Sequence, residues 1–393
     1  MSGIEGNIRK LNFLLVAQHG LTYLPIWILF LMERGLPLSS IFFLDSIRSL
    51  TFILLELPSG AFSDAFGRRR TLLVAGIAGI IGILFLGFGQ SFWQFLLASI
   101  FSGIAVSFQS GTMEALTYDT LQSLGKEGNA AHIFARQQTM QSVTQAVASV
   151  AGGIMAIWSL SLAVLCTIPF MCVALIVAWT LKNPPQTVHE KHEATLLLQS
   201  ARHLWKQPLL CFILLFHGVF GGSVMWLSRS AQPYLNVLSF SSSFIGFFYA
   251  LLDIAIASGA FLVPMLLRLW GRYGTLLLAA CFGIAMHIGL GLPASVFGCV
   301  LIILGHVPWG VLKPITADIV SRLTPMEIRA TILSIRPMMF HLVYGAMAPV
   351  LGIIAERNSV SSAILISGLF AAGALILLFV PLRKIRLLTV TAS

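Results

Sequence analysis

Gly60-Ala61-Phe62-Ser63-Asp64-Ala65-Phe66-Gly67-Arg68-Arg69-Arg70 places one carboxylate, two glycines and three arginines between two long apolar segments. The flanking segments, 39–62 and 71–89, are long enough to cross the hydrocarbon core of a bilayer, which takes about 20 mostly apolar residues. A basic knot between two spans marks the cytoplasmic side. That rule accounts for the arginines. It does not account for Asp64, whose charge opposes it.

The rest of the chain has the composition this stretch implies. Of 393 residues, 57% are hydrophobic and 10% are charged, with a mean hydropathy of +0.91. A soluble domain carries roughly 25% charged residues, so this surface faces lipid. The net charge of +10 does not point to nucleic acid, because its distribution follows topology. Arg9, Lys10, Arg68 to Arg70, Lys126, Arg136, Lys182, Lys191, Arg202, Lys206, Arg268, Arg272, Arg322, Arg329, Arg383, Lys384 and Arg386 fall in alternate connections, in the tails or at helix ends beside them. The opposite connections hold little beyond Arg34 and Arg357. This asymmetry predicts that both termini are cytoplasmic. The apolar run 11–32 after Arg9-Lys10 is too long for a signal-peptide core and reads as the first span.

Twelve apolar segments follow at 11–32, 39–62, 71–89, 92–121, 132–157, 161–181, 209–235, 241–267, 275–292, 295–320, 328–354 and 360–381. The fold class expected is therefore an all-α membrane protein of twelve transmembrane helices in two pseudo-symmetric six-helix bundles, 1–182 and 209–393, joined by a cytoplasmic linker at 183–208. That linker opens with Asn183-Pro184-Pro185 and has an apolar-periodic piece around Leu196–Trp205. Segments three, six, nine and twelve contain no charged residue. Ionisable groups in a bilayer are costly and face a bundle interior or wet cavity, so the remaining segments are expected to enclose something polar. The halves echo one another at offsets of about two hundred residues: Gly271-Arg272 repeats Gly67-Arg68, Asp318 repeats Asp119 and Arg336 repeats Arg136, but Arg268 stands where Asp64 would.

Several residues could carry chemistry. Asp45, Arg48 and Glu56 follow helical spacing in segment two, with Asp45 and Arg48 placed for an i,i+3 pair. That pair could equally be a lock that only holds the bundle. Glu114 lies deeper in segment four than Asp119. A carboxylate in a half-dry site can bind and release a proton near neutral pH, which makes Glu114 a proton-carrier candidate. Asp253 falls mid-segment in segment eight, with Lys313 and Arg336 as its expected opposite charges. Pro308, Trp309, Gly310 and Pro314 predict an irregular helix around Lys313. Gln137, Gln141 and Gln145 form a polar stripe, while Gln18, His19, Thr22 and Tyr23 add polar groups to segment one. His19 and His217 could titrate, although a lone helical histidine is more often a packing residue. Trp93, Trp158, Trp179 and Trp270 suit an interfacial belt, and Trp27, Trp226 and Trp309 sit deeper.

Nothing points to an enzyme or a resident cofactor. There is no Walker A pattern, no nucleophile elbow and no glycine fingerprint after a strand. The five cysteines lie inside apolar runs without metal-ligand spacing, and His189-Glu190-Lys191-His192 is one residue short of HExxH. Neither a catalytic set nor a metal site is expected, so the energy source expected is an ion gradient.

The stretch Gly60, Asp64, Gly67, Arg68, Arg69 resembles the G-x-x-x-D-x-x-G-R-[RK] loop of the major facilitator superfamily of transporters. Segment count, orientation and midpoint linker agree across the chain, and nested repeats in that family would give the three-segment charge period. Glu56-Leu57-Pro58-Ser59-Gly60 and Ser110 to Asp119 look like a bacterial, drug-exporter-like group of that family. The resemblance implies a gating latch of Gly60, Asp64, Gly67, Arg68, Asp119 and Arg136. It further implies proton-coupled alternating access between two halves around a central site. The partners expected are a small-molecule substrate and the lipid bilayer, with the protein a monomer in the bacterial inner membrane. Export of a small organic solute is the first expectation. Uptake of a nutrient such as an amino acid or metal chelate is the second, favoured by the presence of both cavity acids and cavity bases; the Gly-Pro signature of drug/proton antiporters is not matched by Ala148 to Gly153, which counts against antiport. A receptor or scaffold without transport is the third.

Overall fold

The computed structural model describes residues 4, 6–126, 129–184, 193–325 and 328–390, with the backbone alone at 131, 193–198, 330 and 378–390. The His189 to His192 run lies outside the described residues. Fifteen α-helices run through the described chain, and the breaks between them have local causes.

Segment one is not a single helix. Helix α1 (Asn7–His19) stops at Gly20, and α2 (Trp27–Glu33) starts after Pro25. A helix cannot pass a proline without losing a backbone bond. The break is held by Thr22, whose hydroxyl donates to the Ala163 carbonyl at 2.6 Å and lies 2.9 Å from Thr167 Oγ1. Helix α3 (Leu38–Phe66) follows an extended Pro37 and ends at Gly67, with φ 90° and ψ 148°. Helix α4 (Arg68–Phe88) begins at the next residue. The chain thus turns on Gly67 alone, in a backbone region essentially reserved for glycine. Helix α5 (Phe92–Gln109) starts at a Ser91/Gln94 capping box. It gives way at Ser110 and Gly111 (φ 68°) to α6 (Thr112–Ser123), so segment four is also two helices.

The remaining helices of the first half are α7 (Ala130–Met155), α8 (Leu160–Leu165) and α9 (Thr167–Thr180). The apolar-periodic linker piece forms α10 (Glu193–Lys206). Helix α11 (Pro208–Val237) opens with proline at its first turn, where the missing N–H costs nothing. Helix α12 (Ser242–Gly289) contains segments eight and nine, turning at Gly271 with φ 63° and ψ −179°. Helices α13 (Val296–Leu323), α14 (Arg329–Arg357) and α15 (Val360–Val390) complete the chain.

Among the described residues nine helices are long and apolar enough to cross a membrane. Twelve segments become nine because the first is split, the fifth (α7) is enriched in glutamine, and the eighth and ninth run on as α12. The irregular helix expected at Lys313 is not found: α13 continues through Pro308 and Pro314.

Two compact units are present. The first comprises Met1–Pro37, Leu44–His189 and Ser239–Asp253, and the second Leu38–Phe43, Glu190–Leu238 and Ile254–Ser393. The main break falls between 183 and 208, while the starts of α3 and α12 are exchanged between the units. Within the second unit, Ser39 N–H donates to Glu356 Oε2 at 3.0 Å and the Phe42 and Trp226 rings lie 4.3 Å apart. Within the first, Gly246 on α12 meets Gly153 on α7 so closely that a Cβ on either would strike backbone. The first core gathers Leu11, Leu14, Leu72, Met113, Leu116 and Ala174. The second gathers Phe216 and Phe220 of α11 with Val311, Ile315 and Ile332. Trp93, Trp158, Trp179 and Trp270 are all exposed, as belt residues should be.

Candidate functional site

In the first unit, α3 carries four charged residues along its length, and the structure gives them different surroundings. Asp45 is buried, and Arg48 Nε donates to its Oδ1 at 2.6 Å. One turn of helix supplies both partners, so the pair is set by local geometry. Two turns on, Ser110 Oγ donates to Glu56 Oε1 at 3.0 Å. Glu56 Oε2 is buried and has no hydrogen-bond partner among the described residues. Ser59 donates to the Ser107 carbonyl at 3.0 Å just beyond, making a polar seam between α3 and α5.

Glu114 takes a different place from the one its depth in segment four suggested. The break at Ser110–Gly111 puts it in the first turn of α6, where it is exposed. A carboxylate there is favoured by the helix dipole alone. Sequence periodicity read segment four as one helix, so it could not see this.

The loop between α3 and α4 does assemble. Arg68 Nη1 lies 2.7 Å from Asp64 Oδ1 and 2.9 Å from Ser63 Oγ, and its Nε is 3.5 Å from Asp119 Oδ2. Arg68 thus bridges the end of α3 to α6. Gly67 provides the turn, and a Cβ there would overlap the Asn183 amide. Gly60 has open space around it, and Arg136 is exposed and forms no ion pair with Asp119. In segment one, Gln18 is buried and His19 Nδ1 lies 2.9 Å from the Leu15 carbonyl of its own helix. Of the glutamine stripe, buried Gln137 donates to Asn12 at 3.2 Å while Gln141 is half-buried. Asp253, also half-buried, ends the α12 portion that belongs to this unit.

The second unit holds a compact cluster of its own. Arg336 Nη2 donates to the Lys313 carbonyl at 2.6 Å and to Thr316 Oγ1 at 3.0 Å. Thr316 Oγ1 also lies 3.0 Å from His217 Nδ1. The His217 ring sits 5.0 Å from Trp309 and 6.3 Å from Phe340, and the last two are 6.0 Å apart. Helices α11, α13 and α14 therefore bring a cation, a hydroxyl, an imidazole and two aromatic faces together. Thr316 and Phe340 were missed by sequence reasoning. Each lies one helical turn from a residue that was singled out, Lys313 and Arg336, which is the signal that could have found them.

The turn in α12 repeats the first loop in part. Arg272 Nε reaches Asp318 Oδ2 at 2.8 Å, as Arg68 reaches Asp119, and Arg322 adds a second contact at 2.9 Å. Gly271 turns the chain with positive φ, as Gly67 does. The Asp64 and Ser63 contributions are lacking, with Leu267 and exposed Arg268 in their places. A model of the Major Facilitator Superfamily matches residues 12–343. The chain belongs to the major facilitator superfamily. That family is one of multi-pass membrane transporters, not of enzymes.

The superfamily assignment extends to solved structures. A mutant form of the nucleoside transporter NupG superposes with a TM-score of 0.79 at 16% identity, covering 96% of this chain and 98% of that one. A D-xylose-proton symporter gives 0.72 at 14% identity, covering 93% and 95%. At these identities the likeness establishes the fold. An uncharacterized superfamily transporter of Bacillus subtilis, YxaM, is 23% identical over 262 residues, a match spanning 63% of this chain and 61% of that relative's length.

Proposed function

We propose that this chain is a proton-coupled secondary transporter that exports a small organic solute by alternating access. Glu56 is the observation that carries the coupling. One of its oxygens accepts from Ser110 and the other is enclosed without a hydrogen-bond partner among the described residues. Such a carboxylate can take up and give back a proton without disturbing a salt bridge, which Asp45 and Asp64 cannot. Glu56 therefore takes the carrier role ahead of Glu114. The cluster of His217, Trp309, Thr316, Arg336 and Phe340 suits an amphipathic solute, with ring faces for its apolar part and Arg336 for a polar or anionic head. Asp64, Arg68 and Asp119 act as the gating latch. The protein resides in the bacterial inner membrane with Arg68 to Arg70 on the cytoplasmic side, which the distribution of basic residues supports.

Uptake is a second reading, favoured by the likeness to a nucleoside transporter and a D-xylose-proton symporter. Purified protein in liposomes with a pH gradient of either polarity separates the two. Export by antiport predicts that solute accumulates on the more acidic side, and symport predicts the more alkaline side. Solute movement that ignores both gradients refutes proton coupling.

A further inference from the structure

The three arginines of the Gly60–Arg70 stretch do not share one role. Arg68 is bound to Asp64, Ser63 and Asp119. Among the described residues, neither Arg69 nor Arg70 has a carboxylate partner. Both line a cavity of about 470 Å³ together with Phe66, Leu73, Trp179 and Asn183. Arg69 is pinned there: its guanidinium carbon lies 5.4 Å from the centroid of the Trp179 ring, and its backbone N–H donates to Asn183 Oδ1 at 2.9 Å. Its Nε is buried with no hydrogen-bond partner among the described residues. Asp64, the carboxylate closest along the chain, is held by Arg68. Lys10 donates to the Thr180 carbonyl next to Trp179, and exposed Lys182 follows two residues on. Among the described residues Arg69, Arg70, Lys10 and Lys182 have no carboxylate partner, so the local charge is positive.

The walls of the cavity name its occupant. Phe66 and Trp179 are 51% and 67% exposed beside the two arginines, and the apolar span of α4 begins at once. A site for a free anion has no use for such a rim, whereas a lipid presents a phosphate and an acyl chain at this depth. We infer that Arg69, Arg70 and Trp179 form a binding site for the headgroup phosphate of an anionic glycerophospholipid. The arginines bind the phosphate, and the aromatic rim packs on the glycerol and first methylenes. This site is separate from the latch, and it does not depend on which solute the protein carries.

Native mass spectrometry of the delipidated full-length protein, titrated with phosphatidylglycerol or phosphatidylcholine, tests it. Each surface cation contributes about fivefold in affinity, so Arg69→Gln with Arg70→Gln should weaken phosphatidylglycerol about 25-fold. Phosphatidylcholine, whose choline offsets the charge of its phosphate, should weaken far less, and Arg69→Lys with Arg70→Lys should keep most of the preference. If the glutamine pair does not fold, the wild type and Trp179→Leu decide. The wild type must prefer phosphatidylglycerol, and loss of the exposed indole must weaken that preference. Equal binding of both lipids by the wild type overturns the proposal. So does displacement of bound phosphatidylglycerol by inorganic phosphate, which would assign the arginines to a free anion.

Discussion

At the scale of single residues, the charged groups on α3 divide by what surrounds them. The Asp45–Arg48 pair is shielded, with side-chain exposures of 3% and 15%, and removing one partner strands the other. Arg48→Gln should therefore destabilise by about 3 kcal/mol, the low end for a buried pair because Arg48 keeps some exposure. Arg48→Gln with Asp45→Asn should recover part of that loss. Thermal unfolding in detergent measures both, and a double variant no more stable than the single would dismiss the pair as a structural unit. Asp318 is a contrasting case. Its contacts to Arg272 and Arg322 are well exposed, so Asp318→Asn should cost less than about 1 kcal/mol. The Asp45–Arg48 pair was legible in the sequence because i,i+3 partners are fixed by helix geometry. The Glu56–Ser110 bond was not, because it joins residues 54 positions apart across two helices.

At the scale of elements, two glycine turns make a matched experiment. Gly67 and Gly271 both have positive φ, but only at Gly67 would a Cβ also meet a neighbour, the Asn183 side chain. Gly271→Ala should cost the backbone penalty alone, of order 1–3 kcal/mol. Gly67→Ala should cost more and loosen the end of α9 through Asn183. A larger loss of thermal stability at Gly271 would contradict this account of the turn. The same elements show where pattern reading stopped. Length and hydropathy located nearly every helix, but Gly20 with Pro25 and Ser110 with Gly111 break segments that periodicity joined. The second break matters for function, because it moves Glu114 into an exposed first turn. Proline misled in the other direction: Pro308 and Pro314 predicted an interruption that α13 does not have. A helix packed on its neighbours can tolerate a lost backbone bond that an isolated one could not.

At the scale of the whole molecule, the echo between the two halves of the sequence accounts for most of what was readable. The bond from Arg272 to Asp318 repeats that from Arg68 to Asp119, while Asp64 and Ser63 on one side and Arg322 on the other have no counterpart. If Asp64 regulates the transition between states, Asp64→Asn should slow solute exchange while leaving its affinity within about twofold, since no solute group is assigned to it. A change in affinity without a change in rate would remove it from the latch. Charge placement along the chain showed which segments are polar inside, but not how their side chains meet. Thr316 and Phe340 had no sequence signal beyond their one-turn spacing from Lys313 and Arg336.

Coupling of the proton gradient to solute movement through Glu56 is tested by Glu56→Gln in liposomes. Two fluxes are compared with the wild type: accumulation driven by an imposed pH gradient, and exchange of labelled for unlabelled solute without a gradient. In Glu56→Gln accumulation should be lost while exchange persists. Gradient-driven accumulation at the wild-type level in Glu56→Gln would contradict it.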